Sequence, residues 1–140
     1  MKNADKILSE MKFQKIGSFY IKDKNFIIDY DQKYASLEQM IYVHTIDDEI
    51  LRVGSSKNKF KSRIKSWERD VSKSLKGEKS STPLWEGKIW NTILKNKIGV
   101  LYGRKGTMIE TPCGKINSYL TEESFMIGKF QPKMNRSKHR

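Results

Sequence analysis

Phe60, Ile64, Trp67, Val71 and Leu75 recur at steps of three and four, the apolar stripe of a helix laid on a sheet. The spacing predicts a helix over about residues 58–75, with Ser55, Ser56 or Asn58 as its N-cap. Just before it the period changes to two. Ile41, Val43, Leu51 and Val53 are odd-numbered, whereas Tyr42, His44 and Arg52 are even, so the two sets fall on opposite faces of a hairpin. A three-residue turn at Asp47-Asp48-Glu49 pairs Ile46 with Ile50 and His44 with Arg52; a two-residue turn would mix the faces. The expectation is therefore a three-residue turn, with Tyr42, His44 and Arg52 side by side.

Weaker patterns flank this centre. Ile7, Leu8, Met11 and Ile16 predict a short helix over residues 4–17. Phe19-Tyr20-Ile21 and Phe26-Ile27-Ile28 read as strands around Lys22-Asp23-Lys24-Asn25. Thr82-Pro83 opens another helix, Thr82 as cap and Pro83 at the first position, with Trp85, Ile89 and Ile93 as its buried line. Gly99 to Tyr102 reads as a strand and residues 107–117 as an irregular β segment around Thr111-Pro112. Thr121 caps a last helix that ends before Pro132. The class is α+β, with a central antiparallel sheet of about three strands flanked by helices. Residues 1–33 form an N-terminal helix and hairpin extension, a structural or partner-contacting arm. Residues 34–140 form the main domain, ending in a basic tail.

Composition narrows the function. At 140 residues and 36% hydrophobic content the chain is one globular domain. No apolar run approaches the ~20 residues of a membrane span. The opening residues lead into an amphipathic pattern and not into a signal peptide, so the expected location is cytoplasmic, in a bacterial or phage-infected host cell. Cys113 is the only cysteine; it cannot form an internal disulfide or, with two histidines, build a zinc site. Charge says more. Lys and Arg number 28 against 16 acids, a net charge of +12. The bases concentrate in residues 57–79, where Lys57, Lys61, Lys65 and Arg69 recur every four residues, one stripe on a helix. After Glu123 only bases remain, Lys129, Lys133, Arg136, Lys138 and Arg140. Such clusters point to a polyanion, and to nucleic acid before other partners. A solvated lysine-rich surface is the alternative.

Five further residues carry candidate chemistry. Nine residues separate Met40-Ile41-Tyr42 from Arg52-Val53-Gly54, Arg63 lies on the basic helix, and Glu123 is followed by Met126, Ile127, Phe130, Pro132 and Asn135. This set resembles the GIY-YIG nuclease superfamily over roughly residues 34–137, including its small stand-alone phage endonucleases and its restriction enzymes. Hydrophobic residues three, four and seven after a glutamate, proline at nine and asparagine at twelve are the family's C-terminal signature. Phe60 and Arg63 match its helix pattern. The chain departs from the pattern where Met40 replaces a glycine and Arg52 a tyrosine. One extra residue lies between Gly54 and Arg63, and Trp67 stands where many members have histidine or tyrosine.

The resemblance implies a metal-dependent DNA endonuclease acting on double-stranded DNA. Tyr42, Arg52, Arg63, Glu123 and Asn135 would form its site. Glu123 would hold one Mg²⁺ or Mn²⁺ with waters and phosphate oxygens. Tyr42 would orient or deprotonate the attacking water, with Arg52 beside it to favour a phenolate, since a free phenol ionises only near ~10. Arg63 would clamp the phosphate. Asn135 would either fix the C-terminal segment or bind a phosphate, and His44 is a second proton acceptor or an ordinary strand histidine. One site per chain implies a homo-oligomer, a dimer or tetramer, for cutting both strands. The competing reading is a non-catalytic nucleic-acid-binding module that kept the fold.

Overall fold

The hairpin is built from β3 (Met40–Ile46) and β4 (Glu49–Ser56), and it lands the expected residues opposite each other by a different route. His44 faces Arg52, Val43 faces Val53 and Tyr42 faces Gly54. The turn, however, has two residues, Asp47 and Asp48, both left-handed with φ of 51° and 61°. Such turns match the right-handed twist of the strands, and aspartate tolerates the conformation. Ile46 then pairs with Glu49 and Thr45 with Ile50, and a bulge at Leu51 absorbs the extra residue. The bulge turns Leu51 onto the Tyr42 face and leaves Ile50 with Val43 and Val53.

The computed structural model describes residues 2–135, so Arg136, Lys138 and Arg140 of the basic tail lie outside the described residues. Around the hairpin stand α1 (Ala4–Glu10), β1 (Gln14–Lys22), β2 (Asn25–Tyr30), α2 (Phe60–Leu75), α3 (Leu84–Ile93), β5 (Gly99–Lys105), β6 (Met108–Thr111), β7 (Gly114–Asn117) and α4 (Tyr119–Phe130). The main sheet runs β2-β1-β5-β3-β4, antiparallel throughout. It has five strands instead of about three because β1 pairs with β5, from Gln14 opposite Gly103 to Phe19 opposite Gly99. The hairpin β1–β2 thus belongs to the sheet, and α1 packs into its core.

Both faces of the sheet are covered, which is why every residue of β3 is buried. On one face Phe19, Phe26, Met40, Tyr42 and Leu101 pack against Phe60, Ile64, Trp67 and Val71 of α2 and Trp90 of α3. On the other, Ile41, Val43, Val53 and Tyr102 meet Ala4 and Leu8 of α1 and Tyr119, Met126 and Phe130 of α4. The even-numbered set of the hairpin is therefore no polar surface; it faces a second core.

Several local expectations shift. Helix α2 begins at Phe60, because β4 extends through Ser55 and Ser56, and none of the three expected caps is used. Backbone carbonyls of Leu37 and Ala35 instead accept from the first N–H groups, of Phe60 and Lys61, each at 2.9 Å. Helix α3 buries Glu86, Gly87 and Trp90, whereas Trp85 and Ile89 are 44% and 38% exposed. The register is set by Ser74 of α2, which donates to the Pro83 carbonyl at 2.7 Å and accepts from the Gly87 N–H at 3.1 Å. Residues 107–117 are a regular ribbon, β6–β7, and α4 starts at Tyr119, ahead of Thr121. Among the described residues no helix is long and apolar enough to cross a membrane.

Candidate active site

Tyr42 is fully buried up to its hydroxyl, with Phe60 and His44 edge-on to its ring at 5.6 and 5.8 Å. Its ring crosses β4 at Gly54, and the close approach dictates the glycine: a Cβ there would sit 2.7 Å from the phenol oxygen. Arg63, exposed on α2, donates from Nε to that oxygen at 3.1 Å. Guanidinium has no acceptor, so the tyrosine oxygen must be the acceptor in this bond and its own hydrogen is left to point elsewhere.

Arg52 does something else. Its guanidinium lies 4.8 Å above the Trp67 ring and 5.7 Å from that of Tyr42, and the residue is 8% exposed. The cation that meets the phenol oxygen is Arg63, while Arg52 and Trp67, both departures from the family pattern, stack on each other. His44 is buried in the aromatic cluster, 4.7 Å from Trp67 and 4.9 Å from Phe19. Burial first, and then the Arg52 charge, push its pKa well below the usual histidine value.

Glu123 and Glu122 sit in the first turns of α4 and face different neighbours. The Glu123 Oε1 accepts from the Ser55 hydroxyl at 2.8 Å, which ties it to the residue after Gly54. Glu122 is enclosed by the Arg104 guanidinium at 3.2 and 3.3 Å and by the N–H and hydroxyl of Thr107 at 3.1 and 2.7 Å. Burial raises the Glu122 pKa, but these donors more than offset it and the net shift is downward. Among the described residues no three His, Cys, Asp or Glu side chains converge. A single half-buried carboxylate with one oxygen held by a hydroxyl fits a hard cation that keeps most of its waters, as Mg²⁺ does.

Asn135 is fixed against the open edge of β4. Its Oδ1 accepts from the Val53 N–H and its Nδ2 donates to the Val53 carbonyl, both at 2.8 Å. The Met134 N–H adds a bond to Leu51 at 2.9 Å. The C-terminal segment thereby completes the sheet edge behind Arg52-Val53-Gly54, and both ends of the amide are spent on backbone.

A cleft of about 480 Å³ opens beside these groups, lined by Ser55, Ser56, Lys57, Asn58 and Lys59 after the hairpin, Ser62, Arg63 and Ser66 of α2, and Tyr119 and Leu120 of α4. Lys61, Lys65 and Arg69 are exposed along α2, but Lys57 precedes the helix and lines the cleft instead of extending the stripe. A second groove, about 460 Å³, continues the basic surface with Lys65, Arg69, Lys73 and Lys76. Ser55, Leu120 and the Arg104–Thr107 clamp were not marked as functional by sequence spacing. Ser55 reads as a cap, Leu120 reaches the cleft only through the tertiary fold, and Arg104 and Thr107 meet Glu122, the neighbour of Glu123.

No family model matches the sequence, and no curated protein is similar to it. Solved structures are. The chain is similar to a glutamate-to-alanine mutant of bacteriophage T4 EndoII, with a TM-score of 0.67 and 18% identity over 95% of this chain and 98% of that one. It is also similar to the restriction endonuclease HPY188I in complex with product DNA, with a TM-score of 0.55 and 16% identity over 91% and 79% of the two chains. The chain has the α+β fold of the GIY-YIG nucleases.

Proposed function

We propose that this fold carries a metal-dependent endonuclease that hydrolyses phosphodiester bonds of double-stranded DNA in the cytoplasm of a bacterial or phage-infected cell. The observation that carries the reading is the Arg63–Tyr42 hydrogen bond beside a cleft of serines and lysines, with Glu123 held by Ser55 at the same end of β4.

Glu123 would ligate one Mg²⁺ or Mn²⁺, which supplies Lewis-acid polarisation of the phosphate and stabilises the leaving oxygen. Tyr42 orients the attacking water, its oxygen placed by Arg63 and by the absence of a side chain at Gly54. Arg63 keeps its terminal nitrogens for a phosphate oxygen, where a guanidinium stabilises charge developing in the transition state. Lys57, Lys61, Lys65 and Arg69 neutralise backbone phosphates. Arg52 and Asn135 act by position: one stacks under the tyrosine's neighbours, the other locks the edge strand. Cutting both strands with one site per chain requires a dimer, a tetramer or successive nicks.

A binding-only module would have no use for a phenol oxygen aimed by a guanidinium. Supercoiled plasmid incubated with Mg²⁺ or Mn²⁺ decides between the two: nicked or linear product, abolished by EDTA, is expected. Salt-dependent DNA binding without product under either ion would hand the protein to the binding-only reading, and preferential cutting of RNA would replace the substrate.

A further inference from the structure

The ribbon β6–β7 belongs to neither core. Its strands pair only with each other, Ile109 opposite Ile116 and Glu110 opposite Lys115, and Met108, Ile109 and Ile116 are 57%, 41% and 47% exposed. Its base, by contrast, is pinned. Thr107 bonds both Glu122 and Ser118, the Gly106 N–H donates to Gln39, and a Cβ at Gly106 would collide with Asn117 and Tyr119. Tyr119 and Leu120, which follow β7 directly, line the cleft. An element pinned at its root, with an exposed apolar cross-strand pair and a chain path that leads into the cleft wall, stands where a ligand of the cleft could meet it.

We propose that this ribbon enters the major groove of the bound duplex and sets which sequences are cut; the proposal rests on the nuclease reading. Dimensions select the groove. Two strands ~4.8 Å apart, with side chains, fit a major groove ~12 Å wide but not a minor groove ~6 Å wide. Four residues per strand extend ~13 Å, enough to reach the floor of a groove ~8.5 Å deep. Ile109 and Ile116 are a directly cross-strand pair and present one apolar contact, the chemistry that distinguishes the thymine methyl group from a bare base edge. Lys105, exposed at the end of β5 before the ribbon, and Lys115, which pairs with Glu110 across the strands at 3.9 Å, bring positive charge to its root and its length for the neighbouring phosphates.

The turn supplies its own probe. Cys113, exposed at the ribbon tip beside Pro112, is the only cysteine in the chain. Duplexes carrying a disulfide-activated thiol tether on one major-groove base, moved stepwise from the cut, should trap Cys113 at one or two positions only. C113S should abolish trapping. In parallel, the wild-type cut-site distribution should flatten on replacing thymine by uracil, and I109S/I116S should lower the ratio of preferred to other sites by on the order of tenfold. That variant should lose its sensitivity to uracil. Binding without trapping at any position, or an unchanged site distribution in I109S/I116S, overturns the proposal alone. Cys113-linked protein dimers that form equally with and without DNA overturn it in favour of a contact between copies. Absence of DNA binding overturns both it and the nuclease reading.

Discussion

The Nε of Arg63 donates to the hydroxyl oxygen of Tyr42 across 3.1 Å, joining a helix and a strand 21 residues apart in sequence at one atom. Arg63 is otherwise an exposed residue, so this bond should cost the fold little to lose and the chemistry much. Tyr42→Phe and Arg63→Ala should each lower single-turnover cleavage by about 10²–10³-fold. Arg63→Ala should leave the melting temperature nearly unchanged and DNA affinity within a few fold. A normal rate for Arg63→Ala would leave the phosphate clamp to another cation.

Gly54→Ala tests the seat of the same tyrosine. The new methyl group would lie 2.6–2.7 Å from the ring and oxygen of Tyr42, so the ring must move or the strands must part. About 1–3 kcal/mol of stability is expected to be lost, with a fall in cleavage larger than in binding. Thermal melts and single-turnover rates measured together check it; an active, fully stable variant would show that Tyr42 is not held as described.

Glu122 and Glu123 should separate cleanly. Glu123→Gln removes a ligand charge and should abolish cleavage while DNA binding holds or tightens. Glu122→Ala removes the carboxylate acceptor from Arg104, which keeps the Met11 and Lys105 carbonyls, and from Thr107; it should cost about 1–3 kcal/mol in urea titrations, with residual activity in the folded fraction. Glu122 is thus a structural clamp and not the idle first-turn acid that its place in the helix suggests.

The contrast between these two residues shows what the sequence could and could not say. Periodicity located β3, β4 and α2 because burial on a sheet face leaves a two- or three-to-four-residue signature that survives in the chain. It put His44 opposite Arg52 through the wrong turn, since a bulge and an added turn residue are equivalent in spacing and differ only in φ. It misassigned the face of α3, where Gly87 against Ser74 outweighs the apolar line of Trp85 and Ile89. The site residues were legible as a pattern, but the partner of the Tyr42 oxygen was not. Arg52 and Arg63 are both within reach by register, and only packing sends Arg52 onto Trp67.

His44 should leave a mark on the acid limb of stability. Its folded-state pKa is lowered well below 6.5 by burial and by Arg52. Above about 6.5 it is neutral in both states and its packing is fully retained; as the pH falls from there, only the unfolded chain takes up the proton. Stability should therefore drop by up to about 1.4 kcal/mol per pH unit until the lowered value is passed. Denaturant titrations from pH 7.5 to 5 should show this slope in the wild type and its reduction in His44→Phe.

Lys61 and Lys65 should act uniformly. If they follow the DNA backbone, each change to alanine should flatten the salt slope of binding by about one unit and weaken all sequences alike. Lys57→Ala, at the cleft wall, should affect cleavage as well. Titrations at several salt concentrations provide the readout, and unaltered slopes would mean that the duplex takes another path.

The position of β5 in the sheet has a consequence for the order in which the molecule can be made. β5 hydrogen-bonds β1 on one side and β3 on the other, yet it follows both hairpins and all three of α1, α2 and α3 in the chain. A growing polypeptide therefore carries two locally closed hairpins with their inner edges bare until residues 99–105 emerge. Joining them requires one loop closure, β1 to β5, across more than half the chain and another, β3 to β5, across somewhat less, which slows assembly relative to a sheet of consecutive strands. Through that interval the exposed edges of β1 and β3 are templates for pairing between chains. β3 carries Tyr42, so the strand at the centre of the candidate site is also one of the two left open to mispairing before the sheet closes.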